Sequence, residues 1–108
     1  MRPRGCYKIV EQWDNEKGYR TLFHGNGGSR HLPTCTWLKA EEKTVRDGIG
    51  TWYLSGWHVF LEYDIAKNYL KRFKKERPLT VIEVFAKKLR PKAHSKSGIY
   101  LAKWIWIL

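Results

Sequence analysis

Eleven basic side chains in the second half of this chain are spaced to hold phosphates. Lys67, Lys71, Arg72, Lys74, Lys75 and Arg77 follow one another along a helix-like stretch. Lys87, Lys88, Arg90, Lys92 and Lys96 fill the connection between two apolar runs. Ammonium and guanidinium groups bind phosphate oxygens through charge-assisted hydrogen bonds and release condensed counterions, so such a grip ignores base sequence and weakens with salt. Residues 63–108 hold 12 Lys/Arg against 3 Asp/Glu, whereas residues 1–62 hold 9 against 7. Most of the net charge of +11 therefore lies in one half. A charge run is often only a solvated face. Here compensating acids are scarce, since Glu76 and Glu83 alone follow Asp64, and a polyanionic partner is the better reading.

The histidines offer a different chemistry. A metal-independent ribonuclease needs a histidine with another histidine or a carboxylate to move protons, and a cation to stabilise the developing charge. His24, His58 and Glu83 supply that set only if the fold brings them together. The stretch His24-Gly25-Asn26-Gly27-Gly28-Ser29-Arg30-His31 has amides able to cradle phosphate, yet it lacks the Gly-Lys-Ser/Thr ending of a P-loop and reads as a hairpin loop. Phe23-His24-Gly25 resembles the His-Gly element of ADP-ribosyltransferases; that resemblance would give Tyr53 and Glu83 the later positions of the site. His24, His31, His58 and His94 form no metal spacing with Cys6 and Cys35. No metal or cofactor is expected, and the chain reads as a binding protein rather than an enzyme.

The elements that must position these residues follow from periodicity. Cys6–Trp13 and Tyr19–His24 read as a hairpin across the turn chemistry of Asp14–Gly18. Thr36–Ala40 suits a short strand or a first helical turn, and Glu41–Gly50 a loop. Trp52–Phe60 reads as a strand broken or bulged at Ser55-Gly56. Asp64 is placed to cap a helix through about Glu76, with Ile65, Ala66, Tyr69, Leu70 and Phe73 on one stripe and lysines on the other face; Pro78 stops it. Leu79–Leu89 is apolar on both faces and is expected mid-sheet. Arg90–Ser97 reads as a basic loop. In the last strand, Ile99–Leu108, Tyr100, Ala102, Trp104 and Trp106 share one face. The expected fold is a single α+β domain over residues 1–108: a twisted, mostly antiparallel sheet of about five strands under one main helix.

At 108 residues, 43% hydrophobic and 15% aromatic, the chain can bury one core and is no disordered basic tail. Six Trp and six Tyr are a heavy load, and rings left partly exposed can stack on bases, Trp104 and Trp106 foremost. Two cysteines are too few for a disulfide framework and read as reduced thiols, with a Cys6–Cys35 pair left open. Met1-Arg2-Pro3-Arg4 leads into a strand rather than an apolar signal segment, and no apolar run suits a bilayer. The expected setting is cytoplasmic, without a membrane partner.

Thr36-Trp37-Leu38-Lys39-Ala40, then Tyr53-Leu54-Ser55-Gly56-Trp57-His58-Val59-Phe60, then Ala66 and Tyr69, together resemble a pattern of small uncharacterised phage and prophage proteins. The match covers about a third of the chain. It implies a phage origin and adds an inhibitor of host defence, such as one acting on an RNA-guided nuclease, to the possible functions. The first expectation is a small basic protein that grips the backbone of RNA or DNA. The second is a phage-type inhibitor docked on a host protein or ribonucleoprotein. An ADP-ribosyltransferase-like enzyme or a ribonuclease is the third. The apolar C-terminal strand is a candidate edge for a homodimer.

Overall fold

Every strand pairing among the described residues is antiparallel, and the ladder returns to its start. The computed structural model describes residues 3–12, 18–21, 31–46, 50, 52–73, 78–92 and 98–108. The elements are β1 (Arg4–Glu11), β2 (Tyr19–Arg20), β3 (His31–Leu32), β4 (Trp37–Lys39), β5 (Thr44–Arg46), β6 (Trp52–Leu54), β7 (Trp57–Phe60), α1 (Tyr63–Leu70), β8 (Leu79–Pro91) and β9 (Ile99–Ile107). β1 pairs with β8 along its whole length, from Arg4 opposite Ala86 to Glu11 opposite Leu79. β8 pairs with β9, β9 with β7, and β7 returns to β1 at Tyr7 opposite Phe60. The path β1–β8–β9–β7–β1 thus closes around an interior, which removes most open edges.

That interior is lined by Cys6 and Val10 of β1, Trp57 and Val59 of β7, Val84 and Ala86 of β8, and Ala102, Ile105 and Ile107 of β9. Several are small, because four closely wrapped strands leave little room at native packing density. α1 lies outside the ring. Its Ala66, with Tyr69 and Leu70, and Phe73 just beyond, packs against Ile9, Phe60, Ile99, Leu79 and Val81. Each fully buried aliphatic or Phe side chain of such clusters contributes about 1.5–3 kcal/mol.

The sheet departs from the expectation in number. Among the described residues seven strands form the main sheet, not about five, and β5 with β6 forms a separate two-stranded sheet. β5 falls in the stretch read as a loop: polar Thr44 and Arg46 flank Val45, a period-two pattern too short to stand out. The break at Ser55-Gly56 is real and larger than a bulge, since β6 and β7 belong to different sheets. Gly56 permits the close passage there. A Cβ at this position would lie 3.1 Å from the Ala102 carbonyl oxygen and 3.2 Å from the Leu101 Cβ.

The helix is shorter than expected. It begins at Tyr63 with Glu62 at the N-cap, which makes no side-chain capping bond, so Asp64 stands in the first turn instead. Regular helix ends at Leu70, and Lys71–Phe73 continue as a turn. Ile65, assigned to the buried stripe, is 38% exposed. β8 runs on to Pro91, so Arg90 belongs to a strand and not to a loop. The mid-sheet placement of Leu79–Leu89 holds, with β1 on one side and β9 on the other. Gly18 adopts φ 95° at the foot of the first hairpin, as its turn position requires. The expected strand end at Leu22–His24, the glycine loop 25–30 and residues 74–77 and 93–97 lie outside the described residues.

Both cysteines are free, Cys6 buried and Cys35 exposed. Among the described residues no helix is long and apolar enough to cross a membrane.

Candidate nucleic-acid interface

Pairing register builds the site. Phe85 of β8 stands opposite Trp106 of β9, and Trp106 opposite Trp37 of β4. One step along, Lys87 stands opposite Trp104, and Trp104 opposite Lys39. Directly opposed residues share a sheet face, so two rows cross three strands on one side: Phe85–Trp106–Trp37 and Lys87–Trp104–Lys39. The alternate residues Val84, Ala86, Ile105 and Ile107 are at most 1% exposed and fill the interior. The two rows therefore lie on the outer wall.

The rows are tied together by ring contacts. Trp37 and Trp106 meet edge to face, with centroids 5.6 Å apart. The Lys87 Nζ lies 4.0 Å from the Trp37 ring centre, and the Lys39 Nζ 5.8 Å from that of Trp104. Such cation–π contacts contribute about 0.5–1 kcal/mol at exposed sites. Phe85 is 37% exposed, and Trp37, Trp104 and Trp106 are half-buried. The neighbour of Phe85 on its other side is Gly5, which has no side chain to cover the ring.

The outer face of β8 is divided between two uses. Leu79 and Val81 are covered by α1, whereas Phe85 and Lys87 are left open. From Val81 to Lys87 is about 20 Å of extended strand. Exposed Glu83 stands between the two regions.

The expected phosphate-binding residues separate accordingly. Lys87, expected in the basic grip, stands in register opposite Trp104, one of the two expected stacking residues. Lys88 is exposed with φ 55°, in the left-handed region, where the Lys88–Lys103 pair drops out of an otherwise unbroken ladder. Lys67, Lys71 and Arg72 are exposed on or just beyond α1; the Lys67 Nζ stands 5.9 Å from the Tyr63 ring centre and the Arg72 guanidinium 4.9 Å from that of Tyr69. Arg90 is committed elsewhere: its Nη2 donates to the Leu54 carbonyl at 2.7 Å and the Ser55 carbonyl at 2.8 Å. It holds the β6–β7 crossover against the ring. Lys74, Lys75, Arg77 and Lys96 lie outside the described residues. Trp37, Lys39 and Phe85 complete the two rows and were not among the expected site residues. Their signal was the shared alternation in Trp37-Leu38-Lys39, Phe85-Ala86-Lys87 and Trp104-Ile105-Trp106.

A second set of basic groups lies deeper. Lys8 faces inward between Cys6 and Val10, is 5% exposed, and donates from Nζ to the His58 carbonyl at 3.0 Å. Burial pulls its pKa down to about 8. Burial, then the charges of Lys8 and Lys92, hold the His58 imidazole down at about 3. The His58 ring meets Tyr53 edge to face, and the Lys92 Nζ lies 4.8 Å from the Tyr53 ring centre. A histidine so depressed is neutral at pH 7. It accepts protons poorly, the reverse of what a general base needs.

Glu83 stands opposite Tyr7, on the outer face, and neither a hydrogen bond nor an ion pair joins it to His58. His24 lies outside the described residues. Among the described residues there is no group of three or more His, Cys, Asp or Glu able to hold a metal ion. The C-terminal strand has both edges paired, with β8 on one side and β7 followed by β4 on the other. Both of its edges are thus taken up within the chain.

No protein-family model matches this chain, and no curated protein or solved structure matches it.

Proposed function

We propose that this protein is a small basic nucleic-acid-binding protein that works without chemistry on its ligand. The observation that supports this most directly is the pair of rows on the outer wall, where Lys39 and Lys87 flank Trp104, and Trp37, Trp106 and Phe85 lie beside them. Cations beside partly open rings fit the two parts of a nucleic acid at once: phosphates take the ammonium groups and bases take the π-faces. The exposed Lys88, Lys67, Lys71 and Arg72 add to the field that draws a polyanion in, and Lys74, Lys75, Arg77 and Lys96 belong to the same basic half of the sequence.

Binding of fluorescent single- and double-stranded RNA and DNA at roughly 50 and 200 mM salt tests the reading. Tight binding that collapses at the higher salt is expected. Absence of binding to every form at the lower salt overturns it, and turns the basic face towards an acidic host protein or a ribonucleoprotein, as an inhibitor would require.

A further inference from the structure

We propose, resting on the nucleic-acid reading above, that the outer wall formed by β4, β9 and β8 is a stacking platform for unpaired bases, so that the ligand is single-stranded. The rings belong to a sheet wall and not to a projecting helix or ribbon. Trp37, Trp104 and Trp106 are half-buried in a sheet wall. Reading a duplex from its groove needs a projecting helix or ribbon, and a paired, stacked base hides the π-face that a ring would use. An unpaired base offers that face freely.

The layout suits consecutive nucleotides. Neighbouring strands stand about 4.8 Å apart, and Trp104 and Trp106 are separated by about 6.8 Å along β9. Trp104 and Trp106 therefore lie within the reach of adjacent bases in an open strand, with Trp37 meeting Trp106 edge to face. Lys87 and Lys39 stand opposite Trp104 in the same row, and their ammonium groups lie over the Trp37 and Trp104 rings, close beside a base stacked on this wall. Neither row contains a carboxylate. The nearest acid along β8 is Glu83, two residues before Phe85 and towards the helix-covered end; it repels the backbone at that boundary and directs the strand away from α1. Gly5 beside Phe85 keeps the end of the aromatic row uncovered.

The test uses the full chain with three ligands at one salt concentration: a single-stranded oligonucleotide, the same oligonucleotide with abasic spacers, and a matched duplex. The single strand should bind roughly five- to a hundred-fold more tightly than the abasic strand, the loss expected from stacking of one base, and more tightly than the duplex. Trp104→Leu and Trp106→Leu, read separately, should lower single-strand affinity while leaving abasic affinity unchanged. Equal binding of single-stranded, abasic and duplex ligands would overturn the platform and leave the phosphate-binding reading standing. No binding to any of the three would overturn both.

Discussion

Lys87 and Trp37 belong to strands that do not pair, yet the Lys87 ammonium rests 4.0 Å from the Trp37 ring centre. β9 lies between them, pairing with β8 through Trp104 and Trp106 on one edge and with β4 through the same residues on the other. The lysine reaches over β9 to the tryptophan, and this makes the outer wall one continuous surface instead of three separate strand faces. An ammonium fixed against a ring costs less entropy to present to a phosphate than one swinging on a free stem.

Lys8 gives a prediction for alkaline solution. Its pKa is about 8 in the folded protein against an ordinary 10.5. Between those values the unfolded chain binds the extra proton, so stability rises with pH across that window; below pH 8 both states carry the proton and the cost of burying the charge is felt in full. Lys8→Met removes the buried charge and keeps the apolar stem. It should be at least as stable as the wild type at pH 7, and its denaturation midpoint should rise less between pH 8 and 10. Parallel profiles for the two proteins would refute the placement of Lys8 in the interior.

His58 governs the acid side. Its folded pKa of about 3 lies below the ordinary 6.5. The unfolded chain takes up a proton as pH falls through 6.5 while the native imidazole stays neutral, so stability is lost progressively from pH 6.5 towards 3. His58→Gln cannot titrate there, and thermal unfolding between pH 7 and 4 should show a shallower decline for the variant. Identical slopes would mean that His58 is solvated.

Arg90 separates a fastening role from a ligand-binding one. Arg90→Lys keeps the charge but is shorter and loses the Nη2 that donates to both the Leu54 and Ser55 carbonyls. A loss of about 1–3 kcal/mol in urea denaturation is expected, with oligonucleotide affinity unchanged for the folded variant. Unchanged stability with weakened binding would return Arg90 to the phosphate-contacting set.

Much of the fold was legible because strand-forming alternation is strong where strands are long. β1, β8 and β9 were all located from sequence, and the break at Ser55-Gly56 was visible in its glycine. The short β5 was lost among polar residues, and the helix was extended too far because Lys71–Phe73 continue its apolar and basic pattern after regular helix has ended. The site was half legible. Trp104, Trp106 and Lys87 could be named as candidates for the proposed site, but Trp37, Lys39 and Phe85 join them only through pairings between residues far apart in the chain. Alternation alone does not tell which face of a strand turns outward. Trp104 and Trp106 alternate with the buried Ile105 and Ile107 and take the outer wall, whereas Ala102, expected on their face, turns into the interior beyond the break in the ladder at Lys88.

The salt dependence of single-strand binding by Lys39→Gln/Lys87→Gln against the wild type tests the central claim most directly. Each lost phosphate contact lowers the slope of log K against log salt by about 0.7 for a single strand. The double variant should therefore show a slope shallower by about 1.4, with an unchanged melting profile or a small loss. An unaltered slope in a folded double variant would contradict the account, because the two lysines that flank Trp104 would then touch no phosphate.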